Sequence, residues 1–242
     1  EYSKGVHDVI GGDFSAAGRA SVRLFDELPS GFLSVGIGKD DYLRIAAGES
    51  FRTAQGLVLT AAVEAQRYDG PWVQPEDLRK LNGIFRLVKT GAGGRFSLLG
   101  TAYDASWDST DQIPERLVLA GTLDRLGNVD TTVGGESSRY ALQVAWTTTD
   151  GGTEASAFVA RYDLQLYSNF PYLLDDPVDG DQFEQAEERW IVGGRLLRRI
   201  ESEANGRDLT HLFGADVRMD DVPSVGLYRT RARERLSTVR ED

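Results

Sequence analysis

Apolar and polar residues alternate with a period of two along most of the chain, while helical periodicity is weak almost everywhere. The alternation predicts strands at about 31–37, 42–48, 57–67, 80–90, 95–107, 139–149, 153–169, 188–200 and 208–221. In the third, Leu57, Leu59, Ala61, Val63 and Ala65 share one face, and Thr60, Glu64 and Gln66 the other. In the sixth, Tyr140, Leu142, Val144 and Trp146 are expected outward, with Arg139, Gln143 and Thr147 inward. In the ninth, Leu209, Phe213, Val217 and Met219 point outward, and Thr210, Asp216, Arg218 and Asp220 inward. The longest run, Glu154 to Glu188, sets Phe158, Ala160, Tyr162, Leu164 and Leu166 against Arg161, Asp163, Gln165 and Asn169. It then enters an acidic, aromatic loop. Strands of this kind suit a sheet with one greasy face and one wet face, as in a large membrane β-barrel.

The connections alternate in length. Those near 50–56, 91–94, 150–152 and 201–207 are short, whereas 68–79, 108–138 and 170–187 are long. In an up-and-down meander this gathers the long loops at one end, the asymmetry of outer-membrane barrels. The tight connection Lys39–Asp41 is the exception. Tyr140 and Trp146 lie six positions apart on one face, about 20 Å along a strand, and fit either two aromatic girdles or ordinary sheet aromatics. Nine strands is an odd number, and Val225–Asp242 finds no partner, so the chain is expected to be part of a longer barrel.

Composition narrows the picture. The 242 residues carry a formal charge of −11, which argues against nucleic-acid partners. Cysteine is absent, excluding disulfides and thiolate metal sites. The two histidines, His7 and His211, have no evident nucleophile or orienting carboxylate nearby in sequence, so catalysis finds no support and no cofactor is expected. No apolar run approaches the roughly 20 residues of a membrane helix, which leaves strand-crossing proteins untouched. Glu1 follows no signal peptide in this sequence, as expected of a mature domain or a piece of a longer chain.

Candidate chemistry concentrates in the long connections. Trp72, Trp107, Phe170 and Tyr172 can stack on planar or sugar-like ligands, or else simply pack the loops. Asp175, Asp176, Asp179, Asp181 and Glu184 offer hard oxygen ligands, but their spacing is not that of a calcium loop, and a solvated loop, or one held by Asx-type turns around Gly180, is the stronger reading. On the inward face, Arg161, Asp163, Arg195, Arg199, Asp216 and Arg218 line a route or pair among themselves. The basic tail Arg229, Arg231, Arg233, Arg235 and Arg240 reads as a solvated loop or a contact for lipopolysaccharide phosphates. The GAGGR run at 91–95 reads as a turn and not a phosphate cradle.

Taken in order, several segments look like a known family. GDFSAAGRASVRLF (12–25) resembles the end of the plug domain of TonB-dependent outer-membrane receptors, and GFLSVGIGKDDYLRIAAG (31–48) resembles their opening barrel hairpin. DGPW (69–72), STDQIPER (109–116), YSNFPYLLDDPVDGDQFEQ (167–185) and VGLYRTRARERLSTVRED (225–242) resemble outer-loop sequences of one branch. The resemblance implies an all-β, antiparallel up-and-down meander forming part of a transmembrane β-barrel. Residues 1–26 would be the end of the plug and 27–242 the first part of the barrel. It further implies an outer-membrane location, contact with lipid and lipopolysaccharide, a scarce small-molecule nutrient as ligand, and TonB as the energising partner of the complete protein. The TonB box, most of the plug and much of the barrel have no counterpart in these residues. The alternative from the same alternation is a soluble, secreted β-sandwich that binds carbohydrate. It requires a second sheet over the apolar register. A passive porin, the third class, would lack a plug.

Overall fold

Ten strands run in chain order through one antiparallel sheet, each paired only with its neighbours in sequence. The computed structural model describes residues 2–5, 17–169, 176–177 and 181–242. A two-stranded ribbon, β1 (Tyr2–Lys4) with β2 (Gly18–Ala20), precedes the sheet. The sheet itself comprises β3 (Phe32–Ile37), β4 (Leu43–Arg52), β5 (Leu57–Tyr68), β6 (Leu78–Gly91), β7 (Gly94–Asp108), β8 (Gly134–Thr147), β9 (Thr153–Ser168), β10 (Phe183–Ala204), β11 (Arg207–Arg231) and β12 (Glu234–Glu241). A single helical turn, α1 (Glu115–Leu119), lies in the β7–β8 loop. The fold is therefore the expected all-β meander. It is open, with β3 and β12 at its edges, and is not closed into a barrel.

Turn chemistry explains the short end. Asn205 and Gly206 both take positive φ, the type I′ geometry that matches the twist of the long β10–β11 hairpin. Gly56 and Gly151 supply the same left-handed freedom for the β4–β5 and β8–β9 turns. The turn into β12 is built otherwise. Ala232 and Arg233 sit at φ 51° and 66° without glycine, a strained arrangement that its surroundings must hold.

Two corrections concern the C-terminal strands. Val225–Asp242 does have a partner: β11 continues to Arg231, turns, and pairs with β12. Strands β10 and β11 are also much longer than the hydropathy suggests, at 22 and 25 residues. Glu184, Glu187, Glu188, Glu201 and Glu203 mask the hydropathy without interrupting the backbone ladder. Between β10 and β11 the register slips near Trp190 and Asp221, just before Pro223. A bulge is where a strand tolerates proline and bends.

The register sorts side chains onto two unlike faces. One is apolar and bare, carrying Leu33, Val35, Ile37, Ile45, Phe51, Val63, Leu81, Phe85, Phe96, Leu142, Val144, Trp146, Val192, Leu196, Phe213, Val217 and Met219, all exposed. The other bears Thr60, Glu64, Asn82, Arg86, Ser97, Arg139, Gln143, Arg195, Asp216 and Arg218. Its small side chains, Ala46, Val58, Val88, Ala105 and Ala160, are buried among these neighbours. The polar face is thus the crowded side and the apolar face the open one. No second sheet covers the apolar register among the described residues.

Strand β9 enters this scheme opposite to expectation. Arg161 lies between Tyr140 and Trp190 on the apolar face, and Asp163 follows it. Phe158, Ala160, Tyr162 and Leu164 stand on the polar face, in register with Gln143, Ala141, Arg139 and Ser137. The sequence permits both phases, because Ala155, Ala157 and Val159 are as apolar as the alternate set. Packing selects between them. The ring of Phe158 covers Gly193, where an added Cβ would meet it at 2.5 Å. An aromatic laid over a cross-strand glycine is a recurrent sheet device. Of the six charges expected on the polar face, Arg195, Arg199, Asp216 and Arg218 are there, and Arg161 and Asp163 are not.

The segment just before β3 is clasped to the polar face. Asp26 accepts hydrogen bonds from Arg86 Nη2 (2.9 Å) and Arg95 Nε (2.9 Å), and its carbonyl accepts from Thr60 Oγ1 (3.4 Å). Glu27 pairs with Arg52, and Leu28 N donates to Ser50 Oγ at 2.8 Å.

Candidate functional site

The long-loop end of the sheet gathers most of the chain's buried polar groups. Gln182 and Asn169, 3% and 1% exposed, lie at its centre. Gln182 Nε2 donates to Asp130 Oδ2 (2.9 Å) and Thr132 Oγ1 (2.7 Å), while its Oε1 accepts from Thr230 Oγ1 (2.9 Å) and Arg233 N (2.8 Å). Asn169 Nδ2 donates to Asp130 Oδ2, its backbone N–H to Asp111, and its Oδ1 accepts from Asp181 N. These bonds tie the β7–β8 loop, the β9–β10 loop and the β11–β12 hairpin into one block. Each shared group is satisfied, the condition under which buried polar networks stabilise and do not penalise a fold.

Arg233 completes the block. Its left-handed backbone aims the guanidinium back over β7–β9, where Nε donates to Thr132 O (2.7 Å) and Nη2 to Asp108 Oδ1 (2.5 Å). The guanidinium also lies 5.4 Å from the centre of the Tyr167 ring. Beside it, Glu184 is fully buried and receives Arg235 through both carboxylate oxygens, at 2.6 and 2.9 Å, and Gln165 Nε2 at 2.8 Å. Arg235 itself stacks 3.7 Å from the centre of Tyr228. Bidentate pairing and ring stacking are what a planar guanidinium can do and an ammonium cannot.

A recess of about 350 Å³ opens against Arg233, lined by Asp77, Trp107, Gly135, Glu136, Gln165 and Tyr167. Gly135 in its lining is glycine by necessity, since a Cβ there would meet the backbone oxygen of Gln165 at 2.5 Å. An adjoining recess of about 500 Å³ runs along the polar rows that continue the apolar face toward the long loops, and includes Asp104, Glu136, Asp163, Glu188 and Arg235. The excess of carboxylates disfavours anions and favours neutral or cationic molecules.

The sequence candidates fare unequally. Trp107 lines the recess. Trp72 is committed to its own loop, donating its Nε1–H to Glu76 at 2.6 Å and covering Gly70. Phe170, Tyr172, Asp175 and Asp179 lie outside the described residues. Asp176 and Asp181 scaffold the loop: Asp176 N donates to Asp181 Oδ1 (2.8 Å), and Asp176 accepts from Arg231 at 3.0 Å. No acidic or histidine cluster suited to a metal occurs among the described residues. Sequence reasoning took the basic tail as a solvated loop and so missed Arg233 and Arg235. The signal available was Gln182 and Glu184, polar groups entering a long amphipathic strand with cations downstream.

One contact runs against the absence of a nucleophile near histidine. His211 Nε2 lies 2.9 Å from Ser202 Oγ at the far end of the β10–β11 hairpin. Both are exposed there, with His211 stacked on Phe213.

No family model, no curated protein and no solved structure matches the chain.

Proposed function

We propose that the chain is part of a TonB-dependent outer-membrane receptor, in which the complete protein takes up a scarce nutrient. The observation that carries this reading is the bare apolar face, which no second sheet covers among the described residues. Register aligns Leu33, Ala47, Val63, Gly83, Ala102, Tyr140, Arg161 and Trp190 in one row. Two residues further toward the long loops the face turns polar on β7–β11, with Asp104, Ser138, Asp163, Glu188 and Ser224 aligned, while Val35, Ile45, Ala65 and Leu81 keep the same row apolar on β3–β6. Six residues the other way, Phe96 and Trp146 stand side by side, about 20 Å below Tyr140. On β10 the same register carries Trp190, Val192, Leu196 and Ile200 with Arg198 among them, so its uninterrupted apolar part, Trp190 to Leu196, spans about 20 Å, or about 15 Å along the normal at a tilt of about 40°. Aromatic residues bound it at both ends, as they bound a lipid-facing band, within the usual height of about 25 Å.

Energetics favour the same reading. Each large apolar side chain left in water forgoes about 1.5–3 kcal/mol. A soluble monomer rarely leaves a continuous apolar patch beyond about 300–600 Å², and here the patch crosses nine strands, β3 to β11. An apolar solvent resolves this without a second sheet. The open edges fit a wall that continues into further strands, since unpaired backbone groups in lipid cost several kcal/mol each.

The test is fractionation and uptake. In cells carrying the complete gene, the protein is expected in the outer-membrane fraction. Nutrient uptake should fail when either this gene or the TonB energy supply is removed. Recovery as a soluble periplasmic or secreted protein would overturn the reading.

A further inference from the structure

Strand β3 is an edge: it pairs with β4 alone, through six residues from Phe32 to Ile37. The β1–β2 ribbon leads into the sheet through Ser21–Gly31, whose first six residues are exposed. If that were the sole attachment, tension on the leading segment would open the β3–β4 ladder one bonded pair at a time.

The chain does not leave the edge so placed. Three consecutive residues ahead of β3 are fastened to four different strands. Leu28 N and Glu27 hold β4 through Ser50 and Arg52, the Asp26 carbonyl holds β5 through Thr60, and the Asp26 carboxylate holds β6 and β7 through Arg86 and Arg95. Arg86 is well placed for this, with its side chain only 12% exposed and its Nε buried without a partner, so the Asp26 carboxylate carries its charge pairing.

We propose that Asp26–Leu28 is a mechanical stop: a clasp that spreads tension from the leading segment over β4–β7 and keeps it off the edge strand. Four strands then resist together, with their attachments loaded at once and not in series. The leading segment can be displaced or drawn out up to Asp26 while β3 stays paired. This holds for the chain itself, whether or not a membrane surrounds the sheet.

Absence of native cysteine makes the test clean, because single thiols at Lys4→Cys and Glu241→Cys give unambiguous handles on the full chain in detergent micelles. Pulled between them, the unaltered clasp should yield an initial extension limited to residues before Asp26, followed by a distinct high-force event. Asp26→Asn combined with Arg52→Ala should merge that event into low-force peeling of β3. In parallel, amide exchange in β3 should speed up roughly tenfold in the double variant, with β9 and β10 unchanged, and Asp26→Glu should restore most of the protection. Asp216→Asn, which breaks an exposed pair with Arg195 on β10–β11, should alter neither readout. A force record and a β3 exchange rate that are the same with and without the clasp would overturn the proposal, as would loss of protection spread evenly over the whole sheet.

Discussion

Arg161 spreads its guanidinium over Trp190, 5.7 Å from the ring centre, on the apolar face of the sheet, with Asp163 bonded to it from the polar row above. The pair marks the boundary between the two environments on that face. The apolar ring takes the cation's face while the carboxylate takes its edge, so the charge is balanced where the apolar register ends. Arg161→Ala should cost about 0.5–1 kcal/mol through the lost cation–π contact. In a variant keeping Trp190 as its single tryptophan, the emission should shift as well. An unchanged spectrum and denaturation midpoint would show the stacking to be incidental.

The four tryptophans report on the two halves of the molecule. Trp146 and Trp190 are on the apolar face, whereas Trp72 and Trp107 belong to the loop end. With the chain reconstituted in vesicles of brominated lipid, single-tryptophan variants at 146 and 190 should be strongly quenched, and those at 72 and 107 barely. Equal quenching of all four would contradict the lipid-facing band.

Gln182 joins three loops through one amide. Replacing it with leucine keeps the volume but strands Thr230, Thr132 and the Arg233 N–H, each bonded to it now. The expected loss is about 2–4 kcal/mol. It should appear as faster chymotryptic cleavage in the β7–β8 loop, with the β5–β6 hairpin unaffected.

Left-handed backbone at Ala232 is paid for by the contacts of Arg233. Ala232→Gly should therefore stabilise by about 0.5–1 kcal/mol, and Ala232→Val should destabilise by more. Thermal unfolding followed by β-sheet circular dichroism measures both.

The Asp26 carboxyl is held below its ordinary value chiefly by the hydrogen bond from Arg95, which burial partly opposes and the hydrogen bond and charge of Arg86 reinforce. A depressed carboxylate stabilises the fold fully above its unfolded value, and that contribution is lost as the pH falls through the lowered one. Protection of β3 should be flat from neutrality down to the ordinary carboxylate range and decline only below it. Asp26→Asn should remove the acid step. A decline starting near pH 6 would assign the step to another group.

Much of the architecture is legible in the alternation, because a sheet with one bare face imposes a strict period of two. Strands β5, β8 and β11 carry unambiguous phases, and their faces follow directly from Val63, Tyr140 and Val217. Strand β9 does not. Apolar residues occupy both of its phases, and the choice is made by Phe158 finding Gly193 on the neighbouring strand, a partner that no local window contains. The site was harder to read for a related reason. Its anchors come from positions as far apart as Asp108, Asp130, Gln182 and Arg233, and a run of arginines looks solvated until its acceptors are brought to it.

Strict chain order in the sheet has a consequence for assembly. Each strand needs only the one before it, so no step waits for a distant partner to arrive. The hairpins β4–β5, β6–β7, β8–β9 and β10–β11 close over short turns and form at small entropic expense. Joining them requires the longer loops, above all the one from Asp108 to Gly134, to be drawn in afterwards. Such a chain can be built as a succession of ready-made pairs, with the buried amide of Gln182 sealing the loop end once the pairs stand side by side.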